Sequence, residues 1–108
     1  MTKIILKGTS ASLGKIQGKV KILKNLSDVS EVKKGDILVF EMSDQLYKPA
    51  IDIASGVITD FGGMMIHAAI KSRRTGIPCI VNTKQATKIL QDGQLIILNA
   101  NTGEITSQ

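Results

Sequence analysis

The chain has 108 residues, 43% of them apolar and 21% charged, and its 14 Lys and Arg outnumber nine acids for a net charge of +5. One Cys and one His exclude an internal disulfide and a zinc ribbon, so any metal site would rest mostly on carboxylates. With no Trp, one Tyr and two Phe, a base-stacking platform is nearly excluded as well, and the positive charge favours acidic partners: phosphorylated small molecules, nucleic acid or an acidic protein surface. The start of the chain places lysines on both sides of Ile4-Ile5-Leu6, too short a run for a signal sequence, and no apolar stretch reaches membrane-spanning length. A reduced, cytoplasmic setting without membrane contact is therefore expected. Met1 and the polar Ser107-Gln108 end are expected to bound one domain, residues 1–108, large enough for a core without covalent staples.

Gly8-Thr9-Ser10-Ala11-Ser12-Leu13-Gly14 reads as a loop, because glycines and hydroxyls favour turns. Ile16, Val20 and Ile22 then alternate with Gln17, Lys19 and Lys21, predicting a strand with one apolar and one basic face. Residues 27–34 are polar and turn-like. Ile37-Leu38-Val39-Phe40 is apolar on both faces, as a buried strand is. Pro49 suits the first turn of a short helix to about Ser55, and Val57-Ile58-Thr59 predicts a second buried strand. After the break Asp60-Phe61-Gly62-Gly63, a helix is predicted from about Ile66 to Thr75, with Ile66, Ala69, Ile70 and Arg73 on one face. Gly76 fits its end and Pro78 the stop beyond. Ile80-Val81 reads as strand, residues 83–90 as a helix capped by Thr83, residues 94–98 as strand, and Glu104-Ile105-Thr106 as a last strand. Strands throughout, with helices mainly in the second half, predict one mixed α/β domain.

The chemistry concentrates between Gly62 and Gly76. A Gly-Gly pair lets the backbone turn sharply and leaves amide N–H groups unshielded by side chains. A helix starting just beyond adds its own unpaired N–H groups and the positive end of its dipole, a generic anion site. The only histidine of the chain, His67, falls in the first turn of that helix. Neutral imidazole is a nucleophile, and a phosphoryl group placed on it would meet backbone dipoles that offset the new charge. Read without this context, a solitary His beside Ile and Ala is more often a structural residue hydrogen-bonded to backbone, and the glycines an ordinary turn. Cys79, opening an apolar run, reads as a buried and inert thiol.

The string Ile58-Thr59-Asp60-Phe61-Gly62-Gly63, followed by His67-Ala68-Ala69-Ile70, Arg73 and Gly76-Ile77-Pro78, resembles the phosphohistidine domain of phosphoenolpyruvate-utilising enzymes. This is the mobile, swivelling domain of pyruvate phosphate dikinase, phosphoenolpyruvate synthase, enzyme I and rifampin phosphotransferase. Gly35-Asp36-Ile37-Leu38-Val39 and the closing Asp92-Gly93 and Gly103-Glu104-Ile105 are similar to that family's other segments, so the resemblance covers nearly the whole chain. It implies a β/β/α swivelling fold in which His67 accepts a phosphoryl group and passes it between partner active sites. It further implies Gly62, Gly63, Thr59 and Arg73 as the phosphoryl-binding set. No cofactor or metal is expected on this domain; magnesium, nucleotide and phosphoenolpyruvate or pyruvate belong to partner domains or proteins.

Departures from the family cluster at the site. Ile66 stands where the family usually has Ser or Thr, and Lys71 and Arg74 stand where an apolar and an acidic residue are usual. On a helix His67, Lys71 and Arg74 form a stripe, read either as an anion-attracting surface or as a solvated face. Two alternatives to a carrier follow: a binding or regulatory module that kept the fold but lost efficient transfer, and a small basic nucleic-acid binder. Scarce aromatics and the lack of a groove-reading motif weigh against the last.

Overall fold

The computed structural model describes residues 3–42 and 47–107; Met1, Thr2 and Gln108, on which the reading of the chain ends partly rests, lie outside them. Among the described residues the elements run β1 (Lys3–Lys7), β2 (Thr9–Ser12), β3 (Lys15–Leu23), β4 (Ile37–Phe40), α1 (Lys48–Ile53) and β5 (Gly56–Thr59). They continue with α2 (His67–Thr75), β6 (Cys79–Val81), α3 (Ala86–Ile89), β7 (Leu95–Asn99) and β8 (Glu104–Ser107), and Leu26–Glu31 forms a 3₁₀ helix after β3.

The doubly apolar runs become the parallel strands β4, β5 and β6, and their alternation splits the core in two. Ile37, Val39, Ile58 and Ile80 point to one side, where they meet Val20, Ile96, Leu98 and Ile105. Leu38, Phe40, Val57, Cys79 and Val81 point to the other, against Ala50 and Ile51 of α1 and Ala68 and Ala69 of α2. Successive side chains of a strand face opposite ways, so each run must be apolar throughout to serve both cores. The result is three layers, β/β/α, with the parallel strands in the middle, as the resemblance implies.

The strand order is β1-β8-β7-β3-β4-β5-β6-β2. β3 belongs to both β layers: residues 15–19 pair antiparallel with β7, and residues 20–23 pair parallel with β4. The two ends of the order, β1 and β2, are consecutive in the chain and joined at Gly8. Two of the passages between the layers, from β1 to β2 and midway along β3, each carry a glycine. A Cβ on Gly8 would lie 2.6 Å from the Val81 carbonyl oxygen, and one on Gly18 would lie 2.6 Å from the Gly35 carbonyl oxygen. Close approach of two backbones, not a turn, requires these two glycines.

Three sequence expectations are corrected. Residues 9–12 are not loop but strand β2, antiparallel to β6, because the open edge of β6 supplies hydrogen bonds that outweigh weak local propensity. The last helix does not begin at Thr83. Asn82 and Lys84 have φ of 57° and 72°, and Thr83 donates both its N–H and its hydroxyl to the Thr59 carbonyl, at 3.1 and 2.9 Å. The buried face of α2 is Ala68, Ala69 and Ser72, while Ile70 is 37% exposed. Small side chains let the helix lie close to the sheet, and the bulkier Ile70 falls on its flank.

Cys79 is fully buried, and burial pushes its thiol from 9.0 up to about 11. The adjacent Ser72 hydroxyl, which does not reach hydrogen-bond geometry, and the Arg73 charge offset this only in part. A thiol harder to ionise folded than unfolded contributes stability below pH 9 that is lost as pH rises toward 11. Accordingly, an aromatic disulfide reagent at pH 8 is expected to leave Cys79 unmodified in the native chain and to titrate one thiol in urea; rapid native labelling would contradict the burial. Gly18→Ala is expected to lower stability by about 1–3 kcal/mol, because its methyl meets backbone that must shift. Urea unfolding with an unchanged m value reads this out, and an unchanged midpoint would show that the crossing tolerates a side chain.

Candidate functional site

β5 ends in a densely bonded corner. The Asp60 and Phe61 N–H groups donate to the carbonyls of Phe40 and Glu41, each at 3.0 Å, extending the pairing with β4. The Asp60 carboxylate, 2% exposed, accepts the Thr87 N–H at 2.9 Å and the Thr87 hydroxyl. It thus caps the first turn of α3 from 27 residues away. Asp60 is thus a helix cap, of an element well beyond its own turn.

Thr59 is fully buried, and its hydroxyl donates to the Phe61 carbonyl at 2.9 Å. The hydroxyl of Thr59, expected in the phosphoryl-binding set, is thus turned to the backbone of the turn that leads into Gly62.

The two glycines differ in kind. Gly62 has φ of 115°, and a Cβ there would lie 2.8 Å from Ile66 Cδ1. Only glycine sits in that conformation without strain. Gly63 has no atom within 4 Å of a Cβ position, so nothing around it demands glycine. Both are exposed, and both precede the start of α2.

Ile66 is the N-cap of α2, with φ −71° and ψ 159°, and makes no side-chain cap bond. Its carbonyl accepts the Ile70 N–H at 3.0 Å, the first bond of the helix. Its side chain, half-buried, packs over Gly62 and onto the helix-side core. The position where the family usually has Ser or Thr is thus the one where a hydroxyl caps a helix best. His67 follows as the first helical residue and is exposed, at the positive end of the α2 dipole. Of the basic stripe expected beyond it, Lys71 is tied to Asp52 of α1 by a 2.6 Å ion pair. Arg73 and Arg74 lie in the last turn of α2, where the helix dipole favours cations.

Arg73 does something the sequence did not announce. Its Nη1 donates to the Ala11 carbonyl of β2 at 3.0 Å, and its Nη2 to the Met64 carbonyl at 2.6 Å. It lines an open cleft of about 330 Å³ with Ser10, Ala11, Ser12, Leu13 and Met64. Around His67 the surface is apolar for its position: Met65 is 79% exposed, and Phe61 and Met64 are also exposed. Among the described residues no three His, Cys, Asp or Glu side chains gather into a metal-holding group, and no helix is long and apolar enough to cross a membrane.

Comparison with known proteins agrees with the motif. Residues 32–103, two-thirds of the chain, match the family model described as "PEP-utilising enzyme, mobile domain". The chain is 46% identical over 101 residues to a probable phosphoenolpyruvate synthase of Archaeoglobus fulgidus, covering 94% of this chain and 13% of that protein. It therefore spans about an eighth of the length of that relative. Among solved structures, Enzyme I matches with a TM-score of 0.62 at 23% identity, over 71% of this chain and 32% of that one. Aconitase X of Thermococcus kodakaraensis matches with a TM-score of 0.71 at 21% identity, over 95% and 97% of the two chains, and so shares the fold. The order of motifs, the position of His67 at the start of α2 and the extent of these matches show that the chain belongs to the mobile-domain family of phosphoenolpyruvate-utilising enzymes.

Proposed function

We propose that this domain is a phosphoryl carrier in which His67 is the nucleophile. One observation carries the reading: the only histidine is the exposed first residue of α2, directly after a turn that Gly62 alone can make. A lone pair on an imidazole nitrogen attacks phosphorus, the phosphorus–oxygen bond of the donor breaks, and the leaving oxygen keeps the electron pair. With phosphoenolpyruvate as donor the leaving group is the enolate of pyruvate, which is protonated to pyruvate. Backbone N–H groups of the Gly62-Gly63 turn and of the first turn of α2 hold the phosphoryl oxygens, and the helix dipole offsets their charge. Magnesium, nucleotide and phosphoenolpyruvate are held by partner domains or proteins, in a cytoplasmic setting, and this domain moves the phosphoryl group between them.

Incubation with phosphoenolpyruvate and a phosphoenolpyruvate synthase lacking its own mobile domain is expected to give an alkali-stable, acid-labile phosphate, seen by phosphorus NMR and mass spectrometry. Label that persists in His67→Ala would sink the assignment of the nucleophile.

A second reading, a binding or regulatory module that has lost efficient transfer, is favoured by Ile66. Without a hydroxyl at the N-cap, one hydrogen bond to a charged group is missing, worth about 1.5–3 kcal/mol. That corresponds to about one to two orders of magnitude in the rate of transfer. As a carrier, Ile66→Ser is expected to form phosphohistidine about ten- to a hundredfold faster, or to hold it that much longer. Its fold stability should change little, since a gained cap of about 1 kcal/mol offsets lost packing on Gly62. An unchanged rate with an intact fold would remove the hydroxyl from the explanation; absence of label in both chains, where a family domain with Ser at this position is labelled, would favour the regulatory reading.

A further inference from the structure

We infer that Arg73 is a positioning residue: its guanidinium clasps the turn that carries Gly62 and Gly63 onto strand β2, and so fixes the approach to His67. The inference rests on the carrier reading for its consequence, but not for its geometry. Up to Phe61 the chain is held by β4, through the bonds to Phe40 and Glu41. From Gly62 to Ile66 it lies outside helix and strand, and the bond that closes its own turn, Ile66 N–H to the Gly63 carbonyl, is long at 3.4 Å. The short bond from Arg73 Nη2 to the Met64 carbonyl falls at the centre of this segment. The other arm of the same guanidinium reaches Ala11, 62 residues away in sequence, in a strand anchored along β6.

The chemistry of the residue fits this task better than that of a ligand for phosphate. A guanidinium presents its N–H groups in a rigid fork, so two carbonyls bound by two of its nitrogens are held at a fixed separation. Among the described residues no carboxylate pairs with Arg73, although Lys71, two positions earlier, is paired with Asp52. Six residues beyond His67, the side chain leaves α2 on a different face from the imidazole, toward β2 and the cleft with Ser10 and Leu13. Met64, whose carbonyl is clasped, follows Gly63 directly, so the clasp holds the Met64–Met65 peptide at the exit of the glycine pair.

The test is amide hydrogen exchange on the whole, unphosphorylated chain, comparing wild type with Arg73→Ala and Arg73→Lys. The clasp predicts that the Ile66 amide, whose bond to the Gly63 carbonyl closes the turn, exchanges about tenfold faster or more in Arg73→Ala, while those of Ile58 and Ile80 keep their rates. Arg73→Lys should not restore wild-type protection, because a single ammonium cannot span both carbonyls in one plane. Unchanged exchange at Ile66, parallel acceleration of Ile58 and Ile80, or full rescue by lysine would each overturn it. A second readout is the lifetime of phosphohistidine made chemically with phosphoramidate, expected to shorten about tenfold in Arg73→Ala. A changed lifetime with unchanged exchange in the unphosphorylated chain would make Arg73 a phosphoryl ligand and not a clasp. Failure of partner-driven labelling with the exchange effect intact would strike the carrier reading and leave the clasp standing.

Discussion

The burial of β4, β5 and β6 on both faces is the constraint from which the site follows. A parallel strand cannot return to its neighbour by a tight turn, so each connection must cross back over the sheet. With one face taken by the antiparallel layer, both crossing helices, α1 and α2, lie on the other. The start of α2 is thereby fixed at the carboxyl end of β5, beside the ends of β4 and β6. That is where ligands gather in parallel sheets, because loops and helix N-termini converge there. His67 is the first residue of α2, so the packing of strands places the imidazole at a pole of backbone dipoles before any side chain contributes.

Around that pole, the bonds grade from rigid to adjustable. Thr59 and Asp60 are buried and tied to Thr83 and Thr87, so the end of β5 is an anchor. Beyond Phe61 the chain leaves the sheet, turns through Gly62 and is exposed until Ile66 returns to the core. A carrier needs both qualities. In the proposed reading, the imidazole must keep its geometry within the domain while projecting far enough to enter another active site. Exposed Phe61, Met64 and Met65 around it are what a surface that repeatedly docks and leaves would present, since flexible thioethers adapt to different partners. The fold alone does not decide this. Aconitase X shares it at a TM-score of 0.71, so the fold by itself assigns no chemistry to the residues at the carboxyl pole.

Much of this was legible in the chain. Ile37-Leu38-Val39-Phe40 and Val57-Ile58-Thr59 announce buried strands because both of their faces are apolar, and α2 ends at Gly76, at φ 80°, as its position after Thr75 suggests. The motif around His67 was legible through resemblance, whereas its spacing alone left a structural histidine open. What misled was local chemistry whose partners lie far off. Thr83 looks like a helix cap, but its hydroxyl is drawn to Thr59; Thr9-Ser10-Ala11-Ser12 looks like a loop, but β6 leaves an edge to fill. Nothing near Asp60 signals that it caps α3.

The sequence by itself determined the properties that reside within a few residues: doubly apolar strands, a helix whose first turn holds the only histidine, and a sharp turn at the Gly62-Gly63 pair. These are properties of backbone sterics and of side-chain alternation, and they act without a distant partner. Tertiary structure alone decided which face of α2 is buried, that β2 exists, that Ile66 lies over Gly62, and that Arg73 spans Met64 and Ala11. Hydrogen bonds between residues 27 and 62 positions apart decide several of these features. They leave no local pattern, because a carbonyl has the same donor-seeking chemistry in every residue, and only the fold determines which side chain comes within reach.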